Sequence, residues 1–330
     1  MARIVLGLGT SHSPLLTLEG SRWAERAADD LRSRRLNTSD GRWLTYDQLL
    51  AEVGDRHAAV STPEHFVAKA AICQAALDRL AADLAAAAPD VVVVIGDDQD
   101  ELFNLSNMPA VSVFYGEQVV TRPRRIDAGS PSWLPTVAKG YAMDQAHAFP
   151  GAPAFALGLI ERLIAADVDV GAAARVDDPR HAGFGHAYGF VVKRLFGGKP
   201  IPIVPILLNT YYPPNVPTPA RCHDLGRHLK AAIESSPSAE RVAVIASGGL
   251  SHFVVDEQLD RQVLDALLAG DRQTLRTLPP PALIGGSSEI RNWIALAGAI
   301  DGLASHWHEY QPLYRTPAGS GIGVAFAAWR

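Results

Sequence analysis

The sequence predicts an α/β fold: a single domain with a central mixed sheet flanked by helices and its active site at the carboxyl ends of the strands. Three observations carry that expectation. Strand-like and helix-like segments alternate along all 330 residues, with no internal repeat and no evident linker. The runs Val91-Val-Val-Val-Ile95 and Arg241-Val-Ala-Val-Ile-Ala246 are apolar and β-rich over consecutive residues, as in strands covered on both faces. Each of these runs, like the first strand, ends in a turn that carries His, Asp or Ser, where α/β proteins keep their sites.

Composition narrows the class of partner. Hydrophobic residues make up 48% and charged residues 20%, and no uncharged apolar run reaches the roughly 18 residues that a membrane span needs. The start, Met1-Ala-Arg-Ile-Val-Leu-Gly7, is short and strand-like rather than a signal peptide. Cys73 and Cys222 form no framework and no Cys-x-x-Cys pair, which suits a reducing, cytoplasmic setting. A net charge of -5 gives no electrostatic footprint for nucleic acid or an anionic membrane, so a small molecule is the expected partner.

In chain order, residues 2–9 read as a strand running into Thr10-Ser11-His12-Ser13-Pro14. His12 there is either a site residue or part of a plain turn. Residues 17–62 are polar and irregular, with a helix-like piece over Trp23–Arg35, as in an insertion or lid. Residues 64–88 are Ala-rich with helical spacing, opened by Ser61-Thr62-Pro63 and stopped by Pro89. The Val91 strand feeds Gly96-Asp97-Asp98-Gln99-Asp100-Glu101, an acidic turn that either caps itself or surrounds a cation.

Residues 109–122 suggest a pair of strands, and 123–150 a Pro- and Gly-rich connection able to cover a pocket. A helix near Ala154–Ala166 and a strand near Val168–Arg175 follow. Next come His181 and His186 in a Gly-containing loop, with His186 at a helix start, where the dipole lowers a ring's pKa. Ile201–Leu208 reads as a strand whose prolines suggest an edge or irregular position. Tyr211 and Tyr212 suit a pocket wall or a surface loop equally. Arg221–Glu234 reads as an amphipathic helix before the Arg241 strand.

That strand breaks at Ser247-Gly-Gly-Leu-Ser-His252-Phe253, which makes His252 the first candidate for chemistry, the alternative being a solvated turn. Asp256–Leu268 is helical. A further helix, Glu289–Gly302, has Ser287 or Ser288 as its cap. Gly319-Ser-Gly-Ile-Gly323 precedes a last strand and is no dinucleotide fingerprint, because no helix follows it within a βαβ unit.

Four of these pieces, in this order, resemble the class III extradiol ring-cleaving dioxygenases, the superfamily of the protocatechuate 4,5-dioxygenase catalytic subunit. They are His12 in Ser-His-Ser-Pro, His186 before a helix, Ser-Gly-Gly-Leu-Ser-His252, and Ser-Glu289-Ile-Arg-Asn-Trp293. The resemblance covers roughly residues 1–16 and 86–330 and leaves 17–85, with its long helix, as a divergent insertion or lid. It implies a non-haem Fe(II) held by two His and one Glu, with open positions for a catechol and O2. His12 matches one ligand and Glu289 the carboxylate ligand; His252 matches the proton-handling active-site His and His186 a second acid/base.

The sequence departs from that pattern at the second ligand His, where the alignment of Val91–Phe103 puts Gln99. A Gln carbonyl oxygen is a harder, weaker donor than imidazole and shifts preference toward Mn(II) or another divalent ion. Gln99 itself is the first choice to coordinate, since the strand end need not rearrange. The other choices are Asp98 or Asp100 swinging in, or a ring from His57 or His65.

The activity implied is ring opening of a catechol or related hydroxylated aromatic with O2. The alternatives are a non-oxidative metal-dependent hydrolase or decarboxylase on an aromatic substrate, and a non-catalytic binding relative. Tyr211, Tyr212, Phe184, Tyr188 and Trp293 are candidate ring-stacking residues, and Arg180 or Arg291 a candidate partner for a substrate carboxylate. The relatives' habit suggests a homo-oligomer.

Overall fold

The computed structural model describes residues 1–238 and 240–330. The chain opens with β1 (Arg3–Thr10), α1 (Trp23–Asp30), the short strands β2 (Leu36–Asn37) and β3 (Trp43–Leu44), α2 (Tyr46–Val53) and the long α3 (Pro63–Ala87). It continues through β4 (Val91–Asp97), β5 (Val111–Phe114), β6 (Gln118–Val120), α4 (Leu134–Gly140), β7 (Ala148–Pro150), α5 (Pro153–Ala165), β8 (Gly171–Ala173) and α6 (His186–Leu195). The last part holds β9 (Ile203–Leu208), α7 (Pro219–Glu234), β10 (Arg241–Ser247), α8 (Glu257–Ala269), α9 (Arg272–Arg276), α10 (Ile290–Ala299), β11 (Ser305–Tyr314) and β12 (Gly321–Trp329).

Eight strands form one mixed sheet in the order β11-β12-β1-β10-β4-β9-β5-β8. Its centre, β1, β10, β4 and β9, is parallel, while β12 runs antiparallel to β1 and β5 antiparallel to β9. Parallel neighbours need crossovers, and the crossover helices cover both faces. Val91, Val93 and Ile95 of β4 join a core with α5, α7, α8 and α10, whereas Val92 and Val94 join the opposite core with α3 and α6. Each such fully buried side chain contributes about 1.5–3 kcal/mol. That two-sided burial is why β4 and β10 read as unbroken apolar runs.

The helix signals act as expected. Thr62 Oγ1 accepts from the His65 amide with Pro63 in the first turn of α3, and Ala88 ends that helix in the left-handed region at φ 43°. Thr218 and Asp256 cap α7 and α8 in the same manner.

Several expectations are corrected. β9 lies inside the sheet, not at its edge, despite Pro205. Its ladder with β5 stops at Val113↔Ile206, one position short of Pro205, so the missing N–H costs no ladder bond. The pair expected over 109–122 splits: β5 joins the main sheet, and β6 pairs with β7 in a separate ribbon. Ser287 and Ser288 do not cap α10, which begins at Ile290 after a 3₁₀ turn over Gly285–Glu289. β11 went unread.

Residues 17–62 fold against one end of this sheet. Leu36, Leu44, Tyr46 and Leu49 form a small core with Ala318, and Asn37 accepts from the Phe253 amide and donates to the Ile284 carbonyl. Among the described residues, no helix is long and apolar enough to cross a membrane.

Candidate active site

The four parallel strands end side by side, and the turns that leave them carry Ser11-His12, Asp97-Gln99, Asn209-Tyr211 and Ser247-His252. These turns converge with the Gly285–Glu289 turn on a cavity of about 160 Å³ lined by His12, Gln99, His186, Tyr211, His252 and Glu289, among others. His12, His186, His252 and Glu289 are all buried. His12, Gln99, His186, His252 and Glu289 therefore meet in one place.

His12 is held in one tautomer. The single proton of Ser247 Oγ goes to the Ala187 carbonyl at 2.7 Å, so Ser247 accepts from His12 Nδ1–H at 2.9 Å. In the neutral ring His12 Nε2 then keeps its lone pair; it is buried, has no hydrogen-bond partner among the described residues, and stands 3.2 Å from Glu289 Oε2. Two electron-rich atoms this close repel unless a proton or a metal cation lies between them. That is the environment a metal ligand pair requires, including the outer acceptor that orients the ring.

Glu289 is fixed from several sides. Its Oε2 accepts from the Gly249 amide at 2.6 Å, and its Oε1 faces Gln99 Nε2 at 3.1 Å and His252 Nε2 at 3.5 Å. Burial pushes this carboxyl up, but His12 and His252 outweigh burial and hold it well below the usual carboxylate range. The rest of its motif anchors it: Asn292 donates to the Ser247 carbonyl and to Asp97, and Trp293 Nε1 donates to the Gly248 carbonyl.

His252 donates Nδ1–H to the Leu250 carbonyl at 2.8 Å, which turns Nε2 toward Glu289. Its ring is wedged against Gly286, where a Cβ would sit 1.9 Å from His252 Cδ2. His186 pairs through Nδ1 with Glu101 Oε1 at 2.9 Å. The close approach requires glycine before it, since a Cβ on Gly185 would fall 1.6 Å from Glu101 Oε2. The lowered pKa expected at this helix start is corrected: burial does push His186 down, but Glu101 overrides it and carries the ring up to about 9.

The acidic turn divides its labour. Asp97 is fully buried, and burial with the neighbouring Glu289 charge raises its pKa. Asp98 accepts from the amides of Glu101, Leu102 and Phe103, which shapes the turn rather than facing the cavity. Asp100 points outward at φ 65°. Gln99 reaches the cavity, and its Nε2 donates to Asp97 Oδ2 at 2.7 Å and to Glu289 Oε1. His57 stacks on Tyr314 at 4.0 Å and His65 sits in the first turn of α3; neither lines the cavity.

Of the suggested aromatic wall, only Tyr211 lines the cavity; Phe184, Tyr188 and Trp293 are core residues and Tyr212 lies outside. Arg291 is spent on the Pro217 and Leu283 carbonyls, and Arg180 pairs with Asp178 at the surface. The arginines that do line the cavity are Arg26, Arg124 and Arg315, which the sequence did not single out. Arg26 and Arg315 share one carboxylate, Asp30, at 2.8 and 2.7 Å. Arg315 Nη2 and Arg124 Nε are buried without partners, so positive charge and donor capacity are in excess on this wall.

The family described as the catalytic LigB subunit of aromatic ring-opening dioxygenase matches residues 59–325. That span takes in α3, beyond the residues 1–16 and 86–330 that carry the sequence resemblance. The chain is also 36% identical over 136 residues to a gallate dioxygenase of Pseudomonas putida, an alignment that spans 38% of this chain and 38% of that protein.

Proposed function

Because the chain belongs to the family of catalytic LigB subunits of aromatic ring-opening dioxygenases, we propose that it opens the ring of a catechol or related hydroxylated aromatic with O2, at a non-haem Fe(II). The observation that carries this reading is the buried His12 Nε2 set 3.2 Å from Glu289 Oε2, beside a His252 whose Nε2 faces the same carboxylate. His12 and Glu289 would hold the ion, with Gln99 or His186 in the third position. When bound, Fe(II) supplies the one-electron chemistry that lets O2 react with a catechol.

The chain's own groups do the rest. His252, with Nδ1 fixed on the Leu250 carbonyl, has Nε2 free to take a phenolic proton and return it. Tyr211, Phe253, Pro14 and Ile322 give the cavity apolar walls suited to a planar ring. Arg26, Arg124 and Arg315 supply cationic donors for an anionic substituent, which favours a carboxylated ring over a bare catechol. The named gallate dioxygenase acts on a substrate of that kind.

Oxygen uptake by anaerobically prepared, Fe(II)-loaded protein, across a panel of catechols and gallates, tests the reading. Substrate-dependent uptake with loss of the aromatic absorbance supports it, and no uptake with any of them rules it out. Gln99 motivates a second reading, a non-oxidative hydrolase or decarboxylase using a redox-inert ion in the same cavity. Product formation in the absence of O2 would select that one.

A further inference from the structure

Among the described residues, one group of His, Cys, Asp or Glu side chains brings three ligand atoms close enough to share an ion: His12, His186 and Glu289, all within 4.8 Å of one another and all buried. The His12 and His186 rings meet edge to face with centroids 4.6 Å apart. From this geometry we propose that His186 is the second imidazole ligand of the metal, replacing the ring that Gln99 cannot supply. The proposal rests on the metal-dependent reading above and concerns only which residue completes the site.

Each of the three side chains is prepared by an outer partner. His12 Nδ1 is bound to Ser247, His186 Nδ1 to Glu101, and one oxygen of Glu289 to the Gly249 amide. Both rings thus have Nδ1 engaged and only Nε2 left for a cation, the arrangement that metal-ligating histidines adopt. An imidazole, an imidazole and a carboxylate make a donor set suited to Fe(II).

Gln99 points the other way. Its amide nitrogen faces Asp97 Oδ2 and Glu289 Oε1. Rotating the amide by half a turn would set its carbonyl oxygen against both carboxylates, so the surroundings select the orientation in which the group donates. An amide NH₂ has no lone pair to offer a metal. In this account Gln99 is a positioning residue that steadies Glu289, and His252, outside the trio, remains free to exchange protons.

The test is metal binding, read independently of turnover. Full-length protein stripped with chelator is loaded anaerobically with Fe(II), desalted and assayed for iron per chain, and Co(II) titrations followed by visible absorption give the affinity. Wild type, His12→Ala, His186→Ala, Gln99→Ala and the double variant Gln99→His/His186→Ala are compared, with circular dichroism as the check on folding. Expected are about one ion per chain in wild type, affinity reduced at least about tenfold in His12→Ala and His186→Ala, and a smaller loss in Gln99→Ala, which removes only a partner of Glu289. The double variant should recover binding, which also shows that the His186→Ala background folds. If Gln99→Ala loses the ion and His186→Ala keeps it, Gln99 is the ligand and the inference is overturned. If wild type binds neither Fe(II) nor Co(II), the metal-dependent function itself falls.

Discussion

His12 Nδ1 donates to Ser247 Oγ at 2.9 Å across 235 residues of sequence, while the proton of Ser247 is committed to the Ala187 carbonyl. The pair decides which nitrogen of His12 faces the cavity. Replacing Ser247 with Ala removes the acceptor without removing His12, and the expected result is metal affinity lowered about 10- to 100-fold with the fold intact. Isothermal titration of the stripped variant with Co(II) measures it; an unchanged affinity would show that the tautomer is set by something else.

Gly286 and His252 give a second, steric handle. A methyl group at 286 would fall 1.9 Å from the His252 ring, so Gly286→Ala should push His252 off its position. Both Gly286→Ala and His252→Ala are expected to lower kcat by about 10²- to 10⁴-fold while iron content stays near that of wild type. Steady-state oxygen uptake alongside iron analysis separates the two effects.

The Glu101–His186 pair predicts a pH dependence in the metal-free protein. Glu101 is held down at about 2 and His186 up at about 9, in each case because the opposite charge outweighs burial. A histidine whose folded pKa lies above its unfolded value of about 6.5 stabilises fully below that pH, and the contribution is lost as pH rises through the folded value. The stability advantage of metal-free wild type over Glu101→Gln should therefore shrink between about pH 6.5 and 9. Thermal unfolding of the two proteins across that range is the measurement, and a constant difference would contradict the pairing.

Arg124 belongs to the cationic wall but to no ion pair, so it is the arginine to remove for specificity. Arg124→Ala should raise KM for carboxylated catechols about tenfold or more while leaving that for catechol itself nearly unchanged. Arg315 is a poorer choice for that comparison. Its loss removes one of the two arginines that hold the buried Asp30 carboxylate and should lower stability in urea unfolding.

The parts of this protein that were legible in the sequence are those written locally. β4 and β10 are unbroken apolar runs because both their faces are buried, and the turns after them carry His, Gly and Asp within a few residues. β11 is hidden in the sequence because it is an edge strand with mostly exposed polar residues at its start, Ser305, His306 and His308 around the buried Trp307, and its pairing is defined by β12 rather than by its own pattern. Arg26, Arg124 and Arg315 come from three distant segments with no motif between them, so only folding brings them to one wall. The partnership of Glu101 with His186 spans 85 residues and leaves no local mark. The acidic turn is ambiguous for a physical reason: Asp98 shapes the turn, Asp97 and Gln99 bond to each other beside Glu289, and spacing alone does not separate those roles.

The most direct test of the central claim is the fate of labelled oxygen. Fe(II)-loaded protein is given ¹⁸O₂ with gallate or protocatechuate, and the product is read by mass spectrometry beside an oxygen-electrode trace. The account predicts one O2 consumed per ring opened, with both labelled atoms in the product. Product formed without O2, or no uptake with any hydroxylated aromatic, would contradict it.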